Sequence, residues 1–515
     1  MTPDSLRRLR YTDSGFADWR IFRSPVFWHG FPLFNSLFRI ACGGLILLLL
    51  SSCGSPPSAQ TKKKKVRAQP PHAASAPALP TEDSTDRNTE TSEPAPESSS
   101  TRFRPDDRRP AHDDAALEQA GIHRYQSKYL KLYTDLDSEI AKKLPPIADQ
   151  LYAALVDYFG PLPPDRLGTE FQMTGYLMRD ETLFRDAGLL ENVPLILHGR
   201  HLANRFWMRS QESEYFTRHL LLHECTHCFM TFVPGYAAPL WYSEGMAEHF
   251  AAHRVNPEGT AEFRILLASD EEVPGWGRIP SIRRDIAAGN GLTIAGVEQL
   301  ADPDYFQPQA YAWAWAFCDF LDAHPRYQTS FRSLSQHLRD NQFDGHFRKL
   351  LSSPRIRSDW LLFAQSVQYG FDLARAMQES PARERVDESG VHVVTVSADR
   401  GWQDSGVLLE EGVRYEVTAE GQFTLADHPK PWLSEPQGIT IEYHDGQPLG
   451  KLVALIEPKF DDSLPRFTAW KLIPLGKQHV FSAPYSGRLL LRLNDHWNSL
   501  DDNSGEVEVH IRRAP

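Results

Sequence analysis

The chain has 515 residues, of which 41% are hydrophobic and 24% charged, and its formal net charge is −12. That length exceeds one typical domain, and an acidic balance gives no support for nucleic-acid binding. Its five cysteines are too few and too scattered for a disulfide framework.

Near the N-terminus, Ile40 to Leu50 (I-A-C-G-G-L-I-L-L-L-L) is an apolar run preceded by Arg20, Arg23 and Arg39. It is short for a membrane span and right for a signal-peptide core. It ends in Leu50-Ser51-Ser52-Cys53-Gly54, which resembles the lipobox of bacterial lipoproteins. The resemblance implies a signal region over residues 1–53, a lipidated Cys53, and membrane attachment through a lipid anchor in a bacterial cell envelope, on the outer membrane or facing the periplasm. Gly54, standing where an acidic residue would signal inner-membrane retention, argues against that location. An ordinary signal peptide with an incidental cysteine is the alternative.

Residues 54–118 are rich in Pro, Ser, Thr, Ala and Glu and nearly devoid of large apolar side chains. Such a segment cannot bury enough surface to offset its ordering entropy and reads as a disordered tether. Lys62 to Lys65 form a basic run within it, read as a solvated or membrane-proximal cluster.

The next region, residues 119–385, predicts an α+β domain. Lys128 to Thr134 alternates like a strand, Ser138 to Phe159 has helical period behind Asp137 as N-cap, and Phe171–Met178 and Arg200–Trp207 read as further strands. Tyr311–Ala323, Tyr327–Arg339 and Ser358–Met377 read as helices.

Two motifs carry the chemistry. Glu214 to Leu222 runs as an amphipathic helix into His223-Glu224-Cys225-Thr226-His227. Positions i and i+4 share a helix face, so both imidazoles can point at one metal ion. Glu224, beside the first histidine, can take a proton from a metal-bound water. Catalytic zinc takes three protein ligands and keeps one position open. Glu244 of the segment Trp241-Tyr242-Ser243-Glu244-Gly245-Met246-Ala247-Glu248, which follows a break at Pro234-Gly235 and Pro239, can supply the third. Cys225 and Cys228 form a C-x-x-C without a thioredoxin-like setting and read as small buried apolar residues. His219 and His249 lie near the motifs but read as non-ligands, since a fourth protein ligand would close the site.

The two motifs together resemble the gluzincin-type zinc metallopeptidases, in particular peptidase MA-like domains carrying W-x-x-E-G-x-A-E, over about residues 120–380. The resemblance implies a zincin-like fold, Zn2+ held by His223, His227 and Glu244, and Glu224 as general base in the hydrolysis of protein or peptide substrates. It also implies that Glu248 hydrogen-bonds a ligand histidine, fixing its ring and tautomer; an exposed helix carboxylate is the alternative. The strand over Arg200–Trp207 matches the edge strand on which such folds bind substrate backbone. Tyr311, at the start of its helix, matches a tyrosine that stabilises an oxyanion; a packing aromatic is the alternative.

From Val391 onward short alternating strands with Gly-rich turns replace helical periods. Gly401–Gly406, Ala419-Glu420-Gly421, Pro448-Leu449-Gly450, Asn494-Asp495 and Asp501–Gly505 resemble the calcium-dependent bacterial galactophilic lectin, a β-sandwich, over residues 390–515. The resemblance implies Ca2+ held by Asp495, Asp502 and Asn503 with carbonyls of Leu425 and Ser499, hard oxygen donors of the kind calcium takes, and glycans as partners. Asp502 stands where the lectin has Asn, and after Pro436-Gln437-Gly438 only His444 loosely matches the sugar-contacting His, so galactose specificity does not follow. A calcium-free sandwich with a tight turn is the alternative. For the whole chain the competing reading is a non-enzymatic carbohydrate-binding surface lipoprotein whose metal site is structural or lapsed. Glu224 separates the two, because a structural site needs no general base.

Overall fold

The structure is a computed structural model, and it describes residues 103–515 apart from 106–108, 191–192, 194–197, 234–237, 274–276, 339, 377–383, 386–389, 460 and 462. The apolar run, Cys53, most of the expected tether and the Pro234-Gly235 break lie outside the described residues. Packed chain begins earlier than the boundary expected at residue 118. Arg104 is buried against Asp165, and Asp114–Gln119 is a helix whose N-cap, Asp113, accepts from the Ala116 N–H.

Five strands build the first sheet: β1 (His123–Gln126), β2 (Leu130–Thr134), β3 (Met173–Met178), β4 (Gly199–Leu202) and β5 (Arg205–Arg209). Their order is β1-β2-β3-β5-β4, with β2, β3 and β5 mutually parallel and the two outer strands antiparallel to their neighbours. β3 is buried along its whole length, as a parallel strand covered on both faces must be. Gly175 belongs there because a Cβ would strike the Phe206 ring on the neighbouring strand.

Several expected elements differ in detail. The strand expected from Lys128 begins at Leu130. The helix expected over Ser138–Phe159 is two, Ser138–Ala141 and Leu144–Phe159, because Pro145 and Pro146 are tolerated only in a first turn. The strand expected over Arg200–Trp207 is the β4–β5 hairpin, turning at Ala203, whose φ is 54°, and at buried Asn204, whose amide donates to the Gln172 carbonyl. The helix expected over Ser358–Met377 is Ile356–Ser366 and Leu373–Ala376, separated by Gly370 at φ 71°.

Two helices hold the motifs, Glu214–Thr231 and Leu240–Ala251, followed by Arg278–Ala287 and Pro308–Ala323. The last begins three residues before Tyr311, with Pro308 in its first turn. Gly245 lies where the second motif helix crosses Pro308–Ala323. A Cβ there would sit 2.5 Å from the Ala314 carbonyl oxygen and 2.6 Å from the Cys318 Sγ.

The C-terminal region is β-rich, as expected. A four-stranded sheet runs in the order Val391–Ser397, Glu506–Arg513, Arg414–Glu420, Gln478–Ser482. A larger sheet is built on Gln437–His444, Gln447–Pro458, Gly487–Leu493 and Gln403–Leu409. Val396, Val417, Val509 and Ile511 of the first sheet meet Val407, Leu452, Ile456 and Leu491 of the second in one core. The larger sheet buries its other face as well. Val453, Leu455 and Leu490, with Trp402, Trp470, Trp497 and Leu500, belong to the same core cluster as Trp360, Phe371 and Leu373 of the helical region. Arg466–Phe467, in a loop of the sandwich, pairs with Gly291–Leu292.

A shared core of this kind makes the two regions unfold together. Calorimetry on the protein should give one cooperative transition, with van't Hoff and calorimetric enthalpies equal; two resolved transitions would show that the sandwich is an independent module.

Candidate metal centre

The first motif helix is capped by Ser213, whose hydroxyl accepts from the Phe216 N–H. It is buried on nearly every side from Leu221 to Met230, which is why its amphipathic start gives way to the apolar flanks of the motif. Cys225 and Cys228 are buried thiols with no disulfide, as expected, and burial pushes both pKa values well up. The second motif helix crosses the first and returns Glu244 to the two histidines.

The three expected ligand atoms converge. His223 Nε2 and His227 Nε2 are 3.1 Å apart, His227 Nε2 and Glu244 Oε2 3.2 Å, and His223 Nε2 and Glu244 Oε2 3.4 Å. Donors about 2.0–2.2 Å from a tetrahedral zinc lie about 3.3–3.6 Å from one another, so this triangle fits such an ion with little adjustment. All three residues are buried or nearly so. Burial opposes ionisation of Glu244, yet His227 and His223 outweigh it and hold the carboxyl below the ordinary range. Burial likewise opposes a charge on His223, but hydrogen bonds to Glu244 and Glu248 raise its pKa to about 10. A metal cation at these atoms would compete with protons for the same lone pairs.

Glu248 occupies the expected place. Its Oε1 lies 3.1 Å from His223 Nδ1, and its Oε2 accepts from His219 Nε2 at 3.0 Å. Arg278 completes the shell with a bidentate pair, Nε to Oε2 at 2.7 Å and Nη2 to Oε1 at 2.8 Å. Although burial raises its pKa, these partners, Arg278 foremost, hold the carboxyl well below the ordinary carboxylate value. The expectation that His219 and His249 are not ligands agrees with their partners: His219 bonds Glu248, and His249 sits between Asp319 and Asp322.

Glu224 is buried, and burial pushes its pKa up while His223 and His227 act in the opposite sense. The edge strand β4 lies directly against it. A Cβ on Gly199 would collide with Glu224 Oε1, and His201 Nδ1 is 3.8 Å from Glu224 Oε2. The His201 ring also stacks on His227, centroids 4.5 Å apart at 18°. One edge of β4 has no strand partner among the described residues. Tyr311 packs its ring edge-on to His223 at 5.9 Å, with the Arg278 guanidinium 5.4 Å from its centroid. Tyr305 meets Tyr311 at 5.1 Å, and its buried hydroxyl has no hydrogen-bond partner among the described residues.

Sequence reasoning missed Gly199, His201, Arg278 and Tyr305. Arg278 left one signal: a cation in the first turn of a helix opposes the macrodipole, so an arginine there calls for a tertiary partner. The others become visible only when β4 and the turn before Pro308 fold over the motif.

In the sandwich, Asp495 and Asn503 come together and Asp502 does not join them on the buried side. Asp495 is buried, and its carboxylate accepts from the His496 N–H at 2.7 Å and from Asn503 Nδ2 at 2.9 Å. Burial pushes its pKa up to about 6, against the pull of those two donors. Buried Asn503 Oδ1 has no hydrogen-bond partner among the described residues, while Asp502 is exposed. Leu425 follows Thr424, whose backbone pairs with Ser504, and its own N–H bonds the Trp432 carbonyl; the Ser499 N–H bonds the His496 carbonyl. Buried Arg492 donates to the Asp495 carbonyl and lies 3.7 Å from the Trp497 ring centroid. His444, the loose match to a sugar-contacting residue, is buried beside His496 with ring centroids 4.6 Å apart.

No protein-family model matches the chain, and no curated protein matches it. Among solved structures, the N-terminal domain of EclA, described as a PllA-like lectin, is similar at 24% identity and a TM-score of 0.19, over 24% of this chain and 95% of that one. A de novo designed double-stranded β-helix determined by solution NMR is similar at 13% identity and a TM-score of 0.12, over 24% of this chain and all of that one. At such TM-scores neither likeness carries an argument, and the β-rich C-terminal region stands on its own strands. Among the described residues no helix is long and apolar enough to cross a membrane.

Proposed function

We propose that this chain is a zinc-dependent metallopeptidase attached by lipid to a bacterial cell envelope. The observation that carries the reading is the triangle of His223 Nε2, His227 Nε2 and Glu244 Oε2, 3.1–3.4 Å on a side, with the buried Glu224 carboxylate beside it. A zinc ion held there would supply a Lewis acid that acidifies water and polarises a carbonyl. A protein or peptide substrate adds to the open edge of β4 as a further strand, its backbone groups meeting those of Gly199–Leu202. Glu224 accepts at its carboxylate the proton of the attacking water as the new C–O bond forms, then delivers it to the amide nitrogen as the C–N bond breaks. Tyr311 supplies a phenol O–H to the oxyanion formed between those steps. Glu248 keeps a proton on His223 Nδ1, so that His223 Nε2 stays a lone-pair donor.

The test is metal analysis and a peptide-library digest on the mature protein. Wild type should carry one zinc that His223→Ala loses, and Glu224→Gln should keep the zinc while activity falls roughly 10²–10⁴-fold. Full zinc occupancy in His223→Ala would remove the ligand assignment. A zinc-loaded wild type that cleaves nothing would favour the non-enzymatic surface lipoprotein.

We assign to the C-terminal sandwich a calcium site on Asp495 and Asn503, supported by the buried Asn503 Oδ1 that has no hydrogen-bond partner among the described residues, with Asp502, the Leu425 and Ser499 carbonyls and a glycan as further partners in the lectin-like reading. Protons compete with the cation at Asp495: a carboxyl whose folded pKa is raised to about 6 is neutral below that pH. Calorimetry should therefore show calcium binding at pH 8 that weakens as pH falls through about 6 and is abolished in Asp495→Ala. No binding at millimolar calcium would leave a structural sandwich.

The anchor rests on Leu50-Ser51-Ser52-Cys53. Mass spectrometry of the native protein should find a lipidated Cys53 at the mature N-terminus, and an unmodified Cys53 would remove the anchor.

A further inference from the structure

The Glu248 carboxylate is the point where three helices meet. His219 and His223 reach it from the first motif helix, it stands on the second, and Arg278 reaches it from the helix that follows. Two buried imidazole N–H groups cannot by themselves neutralise a carboxylate shut away from water. The guanidinium does so with two parallel hydrogen bonds, the geometry only arginine provides. It is itself largely enclosed, its side chain 12% exposed. Its outer face meets the Tyr311 ring, so one side chain touches both the carboxylate behind His223 and the aromatic ring in front of it.

We propose that Arg278 is a positioning residue for the metal centre, acting through Glu248 to hold His223 in the tautomer that leaves Nε2 bare for the metal. The proposal rests on the metallopeptidase reading above. With Arg278 absent, the Glu248 carboxylate loses the two parallel hydrogen bonds that fix its plane. Its Oε1 then ceases to be a fixed acceptor 3.1 Å from His223 Nδ1, and the ring loses the contact that orients its Nε2 toward Glu244 and His227. Nothing in this sequence of events requires Arg278 to contact the metal or the substrate.

The experiment is a double-mutant cycle on the full-length protein, read as zinc affinity by competition with a chelator, with melting of the metal-free forms as the folding control. Outer-shell partners of metal-bound histidines are typically worth about 10–100-fold in metal affinity. Arg278→Met should lose affinity in that range, Arg278→Lys should recover part of it, and Arg278→Met combined with Glu248→Gln should bind no more weakly than Glu248→Gln alone. Should Arg278→Met fail to fold, the same cycle with Arg278→Lys carries the test. An Arg278 variant that folds and binds zinc within twofold of wild type overturns the proposal, as does a double variant whose loss is the product of the two single losses. A wild type that takes up no zinc overturns the metallopeptidase reading itself, and the two failures are thereby distinguished.

Discussion

A carboxylate with almost no access to water stands behind the candidate metal centre, and the arrangement around it holds only because Glu248 is paired by His219, His223 and Arg278. An unpaired buried charge would cost several kcal/mol; four donors from three other side chains remove that cost. The pairing ties the two motif helices and Arg278–Ala287 into one unit. It also fixes which nitrogen of His223 is free to face Glu244 and His227. The ligand triangle is thus set from behind as much as by the helix spacing of its own residues.

A second constraint is the close approach of helices on the far side of the same element. Gly245, next to Glu244 in sequence, has no room for even a methyl group against Ala314 and Cys318. The lack of a side chain there lets the Pro308–Ala323 helix lie against the second motif helix, which brings Tyr311 to His223. On the opposite side, Gly199 does the same for β4 and Glu224. Two glycines, one on a helix and one on a sheet edge, let backbone close over the candidate centre from both directions, and this is why the Glu224 carboxylate is buried yet bordered by a strand edge without a partner among the described residues.

The C-terminal sandwich is bound into the rest of the chain. One face of its larger sheet is apolar and packs under the helical region through Trp470, Trp497 and Leu490, and its loop pairs with Gly291–Leu292. A domain joined to the rest only as an appended module would keep a polar outer face there. The burial of that face makes the sandwich part of the scaffold on which the helices after the metal centre are packed.

The sequence by itself determined the candidate histidine pair, because His223 and His227 lie on consecutive turns of one helix and the i, i+4 spacing alone aligns the imidazoles. It also determined the change from helical to two-residue period at Val391, which the strand Val391–Ser397 follows, and the burial of Cys225 and Cys228 as small apolar side chains. Only the tertiary structure decided the rest. The turn at Ala203-Asn204 converts one apparent strand into a hairpin, and so makes Gly199–Leu202 the edge that faces Glu224; a period of two reads the same on either side of such a turn. The partnership of Glu248 with Arg278 spans thirty residues and leaves no periodic trace. The union of the sandwich with the helical core was hidden for a related reason, since a strand buried on both faces reads as a plain apolar run, and nothing in that run says what covers its second face.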